Sequence, residues 1–254
     1  LISWFFFIAG PRRLVELGYP HYLAAGGLHL YASYPRLQIG PLTFLFALPI
    51  ALLPRLAGDV IACVLMAAAG PAIVWLLADA SARVRGRTRA DALRLAGWVW
   101  FFMVPSWWLL SIFWGHLDDV LALLSAAAAV NMLSRGRGTA AAVLIGASAA
   151  FKPWAIAFIP LVLVAADGKR LRRVATALAI AIGPWLPFVI ADPHTLRAAS
   201  FKINVIPASV LSLFHVVGGT PSWVRPTQFI GGALLVAVAV WTGRWAAAIA
   251  LAVA

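Results

Sequence analysis

The chain of 254 residues is 63% hydrophobic and only 11% charged, with a mean hydropathy of +0.95. A soluble domain carries about a quarter of its residues as charged side chains, so this composition excludes a soluble protein and predicts an all-α polytopic membrane protein. The net charge of +12 would indicate nucleic-acid binding in a soluble chain. Because the basic residues lie in short runs between apolar stretches, we expect no nucleic-acid partner here.

The apolar stretches predict a bundle of membrane-spanning helices in a single domain, residues 1–254. A span needs roughly 20 residues, and with truncated stretches at both ends we expect about eight or nine spans. Residues 11–58 are predicted as a first outer loop in which residues 41–53 form a re-entrant or interfacial helix. Leu1 and Ala254 lie inside apolar stretches, so we expect a fragment or a trimmed chain. The clearest predicted spans are residues 59–80, 95–114, 120–133, 139–151, 154–166, 174–191 and 229–241.

The basic runs between these spans predict the orientation of the chain. They lie at residues 83–94, 135–137 and 169–173, and the positive-inside rule assigns such runs to the cytoplasmic side. With the run at residues 83–94 on the inside and successive turns on alternate sides, 12 Lys and Arg residues lie inside and 8 outside. Residues 192–228 then form a long outer loop. We expect membrane lipids, anionic ones in particular, to contact the basic turns.

The turn at residues 115–119 contains the best candidates for catalysis. It joins two apolar spans and carries His116, Asp118 and Asp119. Adjacent ionised carboxylates at the membrane surface are unfavourable unless they meet a cation, a metal or substrate hydroxyls. Their structural alternative is to cap the next helix, whose dipole favours negative charge. One aspartate suffices for a cap, so we expect a catalytic role for this turn.

Polar residues of the other predicted outer segments are candidates for substrate binding. Lys152 separates two short spans, where it either snorkels to the interface or contacts a lipid phosphate. Tyr31 and Gln38 lie in a segment rich in turn-forming residues, although interfacial tyrosine usually belongs to an aromatic belt. The predicted substrate-binding set also contains His194, His215 and Arg225. No histidine pair has metal-ligand spacing and no nucleotide-binding loop is present, so the sequence predicts no cofactor and gives no support to a divalent metal.

Three short motifs carry a resemblance to a known family. The first is LY followed by YP and GPL within residues 30–42, leading into an apolar helix. The second is GH at the start of residues 115–124, and the third is FKPW at the end of residues 146–154, ahead of the basic run at residues 169–173. In this order the motifs resemble the polyprenyl-phosphate-sugar-dependent membrane glycosyltransferases of the family C fold. The resemblance is closest to their bacterial alpha-mannosyltransferase branch.

The resemblance implies a multi-pass enzyme of the bacterial plasma membrane. Such an enzyme moves a sugar, here mannose or another hexose or pentose, from a polyprenyl-phosphate donor to a lipid or cell-wall glycan acceptor at the outer face. The family places an aspartate base just after the first span, whereas Glu16 is the only acid that precedes Asp59 in this sequence. Either Glu16 is the base, or the base precedes the sequence given, or the chain is a non-catalytic relative.

Two other classes of membrane protein compete with this interpretation. A transporter or lipid flippase would need acids and histidines near the middle of the membrane, to form a proton path. The candidate residues instead lie at the ends of the predicted spans, which favours chemistry at the membrane surface. A structural membrane subunit is the third class, and the missing first-loop aspartate is its main support.

Overall fold

A computed structural model describes residues 26–35, 37, 39–113, 115–164 and 168–197, and scattered positions between residues 215 and 234. Every element assigned in this part of the chain is a helix, which confirms the predicted all-helical class. Glu16, Gln38 and Arg225 lie outside the described residues, as does most of the predicted span 229–241.

The first half of the described chain contains five α-helices. A short 3-10 helix, Gly27–His29, leads into the first of them, and the fourth ends in a π-helical turn, Leu109–Phe113. The α-helices are α1 (Leu30–Ser33), α2 (Pro41–Ala51), α3 (Arg55–Val84), α4 (Arg89–Trp108) and α5 (Leu117–Ser134).

The second half alternates α-helices with 3-10 helices. Pro153–Val164 is a 3-10 helix of 12 residues, which is long for this conformation. The remaining elements are α6 (Gly138–Phe151), α7 (Arg170–Ile182), a 3-10 turn (Gly183–Trp185), α8 (Leu186–Ala191) and a final 3-10 helix (Pro193–Leu196).

Four helical segments in the described residues are long and apolar enough to cross a membrane. They are Leu56–Val84, Arg89–Ile112, Leu117–Ser134 and Arg170–Ala191. Three shorter apolar helices accompany them, and one of these, α2, occupies the segment predicted as re-entrant or interfacial. The predicted total of about eight or nine spans and the family C fold stay predictions.

Small residues let α5 pack closely at the centre of the bundle. Ala122, Ala126 and Ala129 of α5 are buried, and α5 packs against both α3 and α6. Gly146 of α6 faces α7 so closely that a Cβ atom there would lie 2.6 Å from the carbonyl oxygen of Ala177. Small residues at helix contacts are the usual basis of packing in a membrane, because lipid provides no hydrophobic force between helices.

A polar clamp joins the last turns of α3 and α5. Asn131 Nδ2 donates to Asp79 Oδ2 at 2.9 Å, and Arg135 Nη2 donates to the same oxygen at 2.9 Å. The clamp places the basic turn after α3 beside the basic turn after α5, and we call this end of the bundle the basic end. The first turn of α5 therefore lies at the opposite end.

This arrangement predicts the membrane sidedness of exposed positions. In a Cys63→Ala background, single cysteines at Arg85 and Arg172 should be labelled from one side by an impermeant reagent, and a cysteine at His194 from the other. The reason is that Arg170–Ala191 is long enough to cross the bilayer between the last two positions. Labelling of Arg172→Cys and His194→Cys from the same side would contradict this.

Candidate functional site

Two aspartates and a lysine meet at the opposite end of the bundle. Asp118 and Asp119 lie in the first turn of α5, and Lys152 directly follows the last residue of α6. The Lys152 ammonium donates to Asp118 Oδ2, and its Nζ lies 3.2 Å from Asp119 Oδ2. Of the alternatives that the sequence leaves open, the structure shows a cation beside the aspartates, Lys152, which is 34 residues from Asp118 along the chain.

The two aspartates differ in their access to solvent. The Asp118 side chain is 1% exposed and that of Lys152 is 13% exposed, so these two form a buried ion pair. The Asp119 side chain is 17% exposed, and its Oδ1 accepts a 2.9 Å hydrogen bond from Trp154 Nε1. His116, 42% exposed, has Nδ1 3.5 Å from Asp119 Oδ2. A substrate at this end can reach Asp119 and His116, whereas Asp118 lies beneath them.

Contacts from α2 and α5 fix the turn that carries Lys152. The carbonyl oxygen of Phe151 accepts from Gly40 N–H at 2.8 Å and from Thr43 Oγ1 at 3.0 Å. Position 40 requires glycine, because a Cβ atom there would lie 1.9 Å from the carbonyl oxygen of Ala150. Ser148 Oγ donates to the carbonyl oxygen of Ala122 at 2.8 Å, which holds α6 against α5. The lysine is therefore placed by hydrogen bonds that join α6 to the start of α2 and to α5.

The depth of this cluster can be judged from helix length. At about 1.5 Å per residue, α6 is roughly 21 Å long and α5 roughly 27 Å, against a hydrocarbon core of about 30 Å. Counted from the basic end, the cluster lies near the far edge of an ordinary hydrocarbon core. An unpaired charge is unfavourable at that depth, which explains why both carboxylates contact Lys152.

The capping alternative accounts for part of the role of Asp118. Its Oδ1 accepts a 2.9 Å hydrogen bond from the N–H of Asp119, within the first turn of α5. His116 occupies the N-cap position and makes no side-chain cap bond. Asp118 thus satisfies a backbone donor at the positive end of the helix dipole, and Asp119 is not needed for that purpose.

The cluster has the ligand types of a metal site, but it already contains a cation. Ligand atoms of His116, Asp118 and Asp119 lie within 4.8 Å of one another. The Lys152 ammonium contacts both carboxylates, so two of the three groups already have a cation beside them. The arrangement therefore favours proton transfer and hydrogen bonding over metal binding. The Lys152 ammonium is directed to the aspartates and not outward to the interface, and its contact with a lipid phosphate stays a prediction.

Tyr31 has a packing role in place of the predicted substrate contact. Its side chain is fully buried among Phe44, Trp185 and Phe188, and its hydroxyl donates to the carbonyl oxygen of Ile39 at 2.8 Å. Burial, and to a smaller extent the negative charge of Asp118, raise the pKa of the Tyr31 phenol well above its usual value. Tyr31 therefore joins α1 to α8 and presents no surface to a ligand.

The predicted histidines of the later outer segment do not join the cluster. His194 Nδ1 lies 3.0 Å from Asp192 Oδ1, and His29 Nδ1 lies 3.3 Å from Asp192 Oδ2. The backbone N–H of His194 and the imidazole of His29 lower the pKa of Asp192. His215 lies in an exposed turn with a left-handed φ of 58°. Substrate binding by His194 and His215 stays a prediction.

Trp154 is a site residue that sequence reasoning missed. The pattern Lys152-Pro153-Trp154 identifies it only as an interfacial aromatic residue, although a buried indole N–H usually requires an acceptor. Pro153 begins the long 3-10 helix, and this places the indole beside Asp119.

Comparisons with protein-family models, with curated proteins and with solved structures give no match.

Proposed function

We propose that this chain is a membrane glycosyltransferase that moves a sugar from a polyprenyl-phosphate donor to a lipid or glycan hydroxyl at the outer membrane face. The observation that carries the proposal is the accessible pair of Asp119 and His116, held over a buried Asp118–Lys152 ion pair at one end of a membrane bundle. A carboxylate beside an imidazole is suited to accept a proton from a hydroxyl group.

In the proposed reaction the acceptor hydroxyl loses its proton to the Asp119–His116 pair. The hydroxyl oxygen then forms a bond to C1 of the sugar, and the bond between C1 and the phosphate oxygen breaks. The electron pair of that bond leaves with the polyprenyl phosphate. Lys152 contacts the nearby Asp118 and fixes its position, and Trp154 orients Asp119 through its 2.9 Å hydrogen bond. Glu16, outside the described residues, is the alternative base that the family resemblance implies.

The distribution of charge supports surface chemistry over proton-coupled transport. In the described residues, the stretches 60–78, 95–113, 120–134, 138–151 and 174–191 contain no Asp, Glu, His, Lys or Arg. A proton path across the bilayer needs such groups near the middle of the membrane. The aspartate cluster and the clamp around Asp79 lie instead at opposite ends of the bundle.

A transfer assay in proteoliposomes tests the proposal. Purified protein supplied with radiolabelled polyprenyl-phosphate mannose, or with the corresponding glucose and arabinose donors, and with a glycolipid acceptor should form labelled product. His116→Gln should lower the rate by about 100-fold or more, as expected for loss of a residue in general-base catalysis. His29→Gln is the matched control and should keep the native rate, because His29 contacts Asp192 and not Asp119.

Two outcomes would contradict the proposal. Folded protein that transfers sugar from none of these donors would indicate a non-catalytic relative or a transporter. Equal rates for the native protein and the His116→Gln variant would show that the His116 imidazole takes no part in the reaction.

A further inference from the structure

Exposed arginines from three separate turns gather at the basic end, far from the aspartate cluster. We name them the basic surface: Arg85 and Arg87 after α3, Arg137 after α5, and Arg170 and Arg172 at the start of α7. All five are exposed. Within the part of the chain that the structure describes, Arg85, Arg137, Arg170 and Arg172 have neither a hydrogen-bond nor an ion-pair partner for their side chains.

Two structural features bring these turns to one level. The clamp of Asp79 with Arg135 and Asn131 joins the ends of α3 and α5. The third turn is aligned through α6 and α7, because Gly146, eight residues into α6, packs on Ala177, seven residues into α7. Both helices therefore begin at about the same level.

The two acids that the structure describes at this end, Asp79 and Asp91, already have partners. In the described residues, Asp79 is bound by Asn131, Arg83 and Arg135, and Asp91 closes a capping box with Thr88 at the start of α4. Asp91 also interacts with the charge of Arg87. Within the described residues no acid pairs with Arg85, Arg137, Arg170 or Arg172, so these guanidinium groups are available to anions from outside the chain.

The first turn of α7 also favours an anion from outside the chain. It carries Arg170, Arg172 and Arg173 and contains no acid, although the dipole of a helix favours negative charge at its first turn. The first turns of α4 and α5 contain acids, namely Asp91 in α4 and Asp118 and Asp119 in α5. An anion beside α7 would interact favourably with both the arginines and the helix dipole.

We propose that the basic surface binds the headgroups of anionic phospholipids in the same membrane. The surface lies where the apolar helices Leu56–Val84, Leu117–Ser134 and Arg170–Ala191 end or begin, which is the level of the headgroups. Phosphatidylglycerol and cardiolipin present phosphates at that level, and guanidinium groups bind phosphate through paired N–H donors. This inference does not depend on the proposed glycosyl transfer.

Native mass spectrometry of the detergent-purified protein tests the proposal, with phosphatidylglycerol and phosphatidylcholine of identical acyl chains as probes. The native protein should retain phosphatidylglycerol at least about tenfold more tightly than phosphatidylcholine. The triple variant Arg85→Gln, Arg137→Gln, Arg172→Gln removes one guanidinium from each turn and should lose most of that preference.

Three controls test whether the preference depends on positive charge, on these three positions and on a lipid in place of free phosphate. Lysine at the same three positions keeps the charge and should keep most of the preference, while Arg197→Gln, after α8, should leave it unchanged. Glycerol 1-phosphate at matched concentration should not displace the lipid. The proposal is overturned if the glutamine variant, folded by size-exclusion chromatography, retains phosphatidylglycerol like the native protein. Displacement by glycerol 1-phosphate would overturn it too, by showing a site for free phosphate.

Discussion

Replacement of Lys152 by methionine is expected to destabilise the protein by about 3 to 5 kcal/mol, the usual cost of removing one partner from a buried ion pair. Methionine keeps the apolar stem of the lysine but leaves Asp118, 1% exposed, without its cation. The free energy of unfolding can be measured in mixed micelles by titration with a denaturing detergent. Arg172→Met is the control, because Arg172 is an exposed cation whose side chain contacts no acid in the described residues, and it should change the stability by about 0.5 kcal/mol or less.

A double variant identifies the source of the loss. Asp118→Asn combined with Lys152→Met replaces both charges, so it should recover most of the stability that Lys152→Met loses. Two results would contradict this account of the site. One is a Lys152→Met protein as stable as the native one, and the other is a double variant no more stable than Lys152→Met.

The helical architecture follows from the sequence because lipid leaves few alternatives. Backbone groups in the hydrocarbon core must be satisfied within the chain, so long apolar stretches become helices, and the predicted spans 59–80 and 120–133 lie within α3 and α5. The sequence also predicts a short helix after Gly40, since Pro41 is favourable at the first helical position.

Other features of the fold depend on contacts distant in sequence. The 3-10 conformation of Pro153–Val164 is not evident from its apolar composition, which suits an α-helix equally well. The close approach of Gly40 to Ala150 joins segments more than 100 residues apart, and no local pattern predicts it. No local pattern predicts the clamp between Asp79 and Arg135 either, because the two residues are far apart in the sequence and lie in different helical segments.

The sequence predicts which acids belong to the candidate site, but it does not predict which residues pair with them. Two adjacent carboxylates between apolar spans require compensation by a cation, a metal or substrate hydroxyls, and the sequence leaves these three alternatives open. The choice among them depends on the packing of α5 against α6, which brings Lys152 to Asp118. Tyr31 shows the opposite case, because its position in a turn-rich segment indicates exposure, whereas aromatic packing with Phe188 buries it.

Asp118→Asn and Asp119→Asn are expected to affect different properties of the protein. Asp118 is buried, paired with Lys152 and bonded to the N–H of Asp119, so its change should reduce stability and leave part of the transfer activity in the protein that folds. Asp119 is the carboxylate that a substrate can reach beside His116. Its change to asparagine keeps an acceptor for Trp154 but removes the base, so transfer should fall by about 100-fold or more with little loss of stability.

The comparison requires activity per folded molecule. Transfer from polyprenyl-phosphate mannose, or from the donor found active, is measured in proteoliposomes at matched amounts of monodisperse protein, with unfolding followed in parallel. Asp91→Asn, at the basic end, is the control for removal of a carboxylate; it changes only the capping box of α4 with Thr88 and should keep the transfer rate. If Asp118→Asn and Asp119→Asn are equally active and equally stable, the two aspartates only begin a helix. The proton acceptor must then be sought elsewhere, with Glu16 as the next candidate.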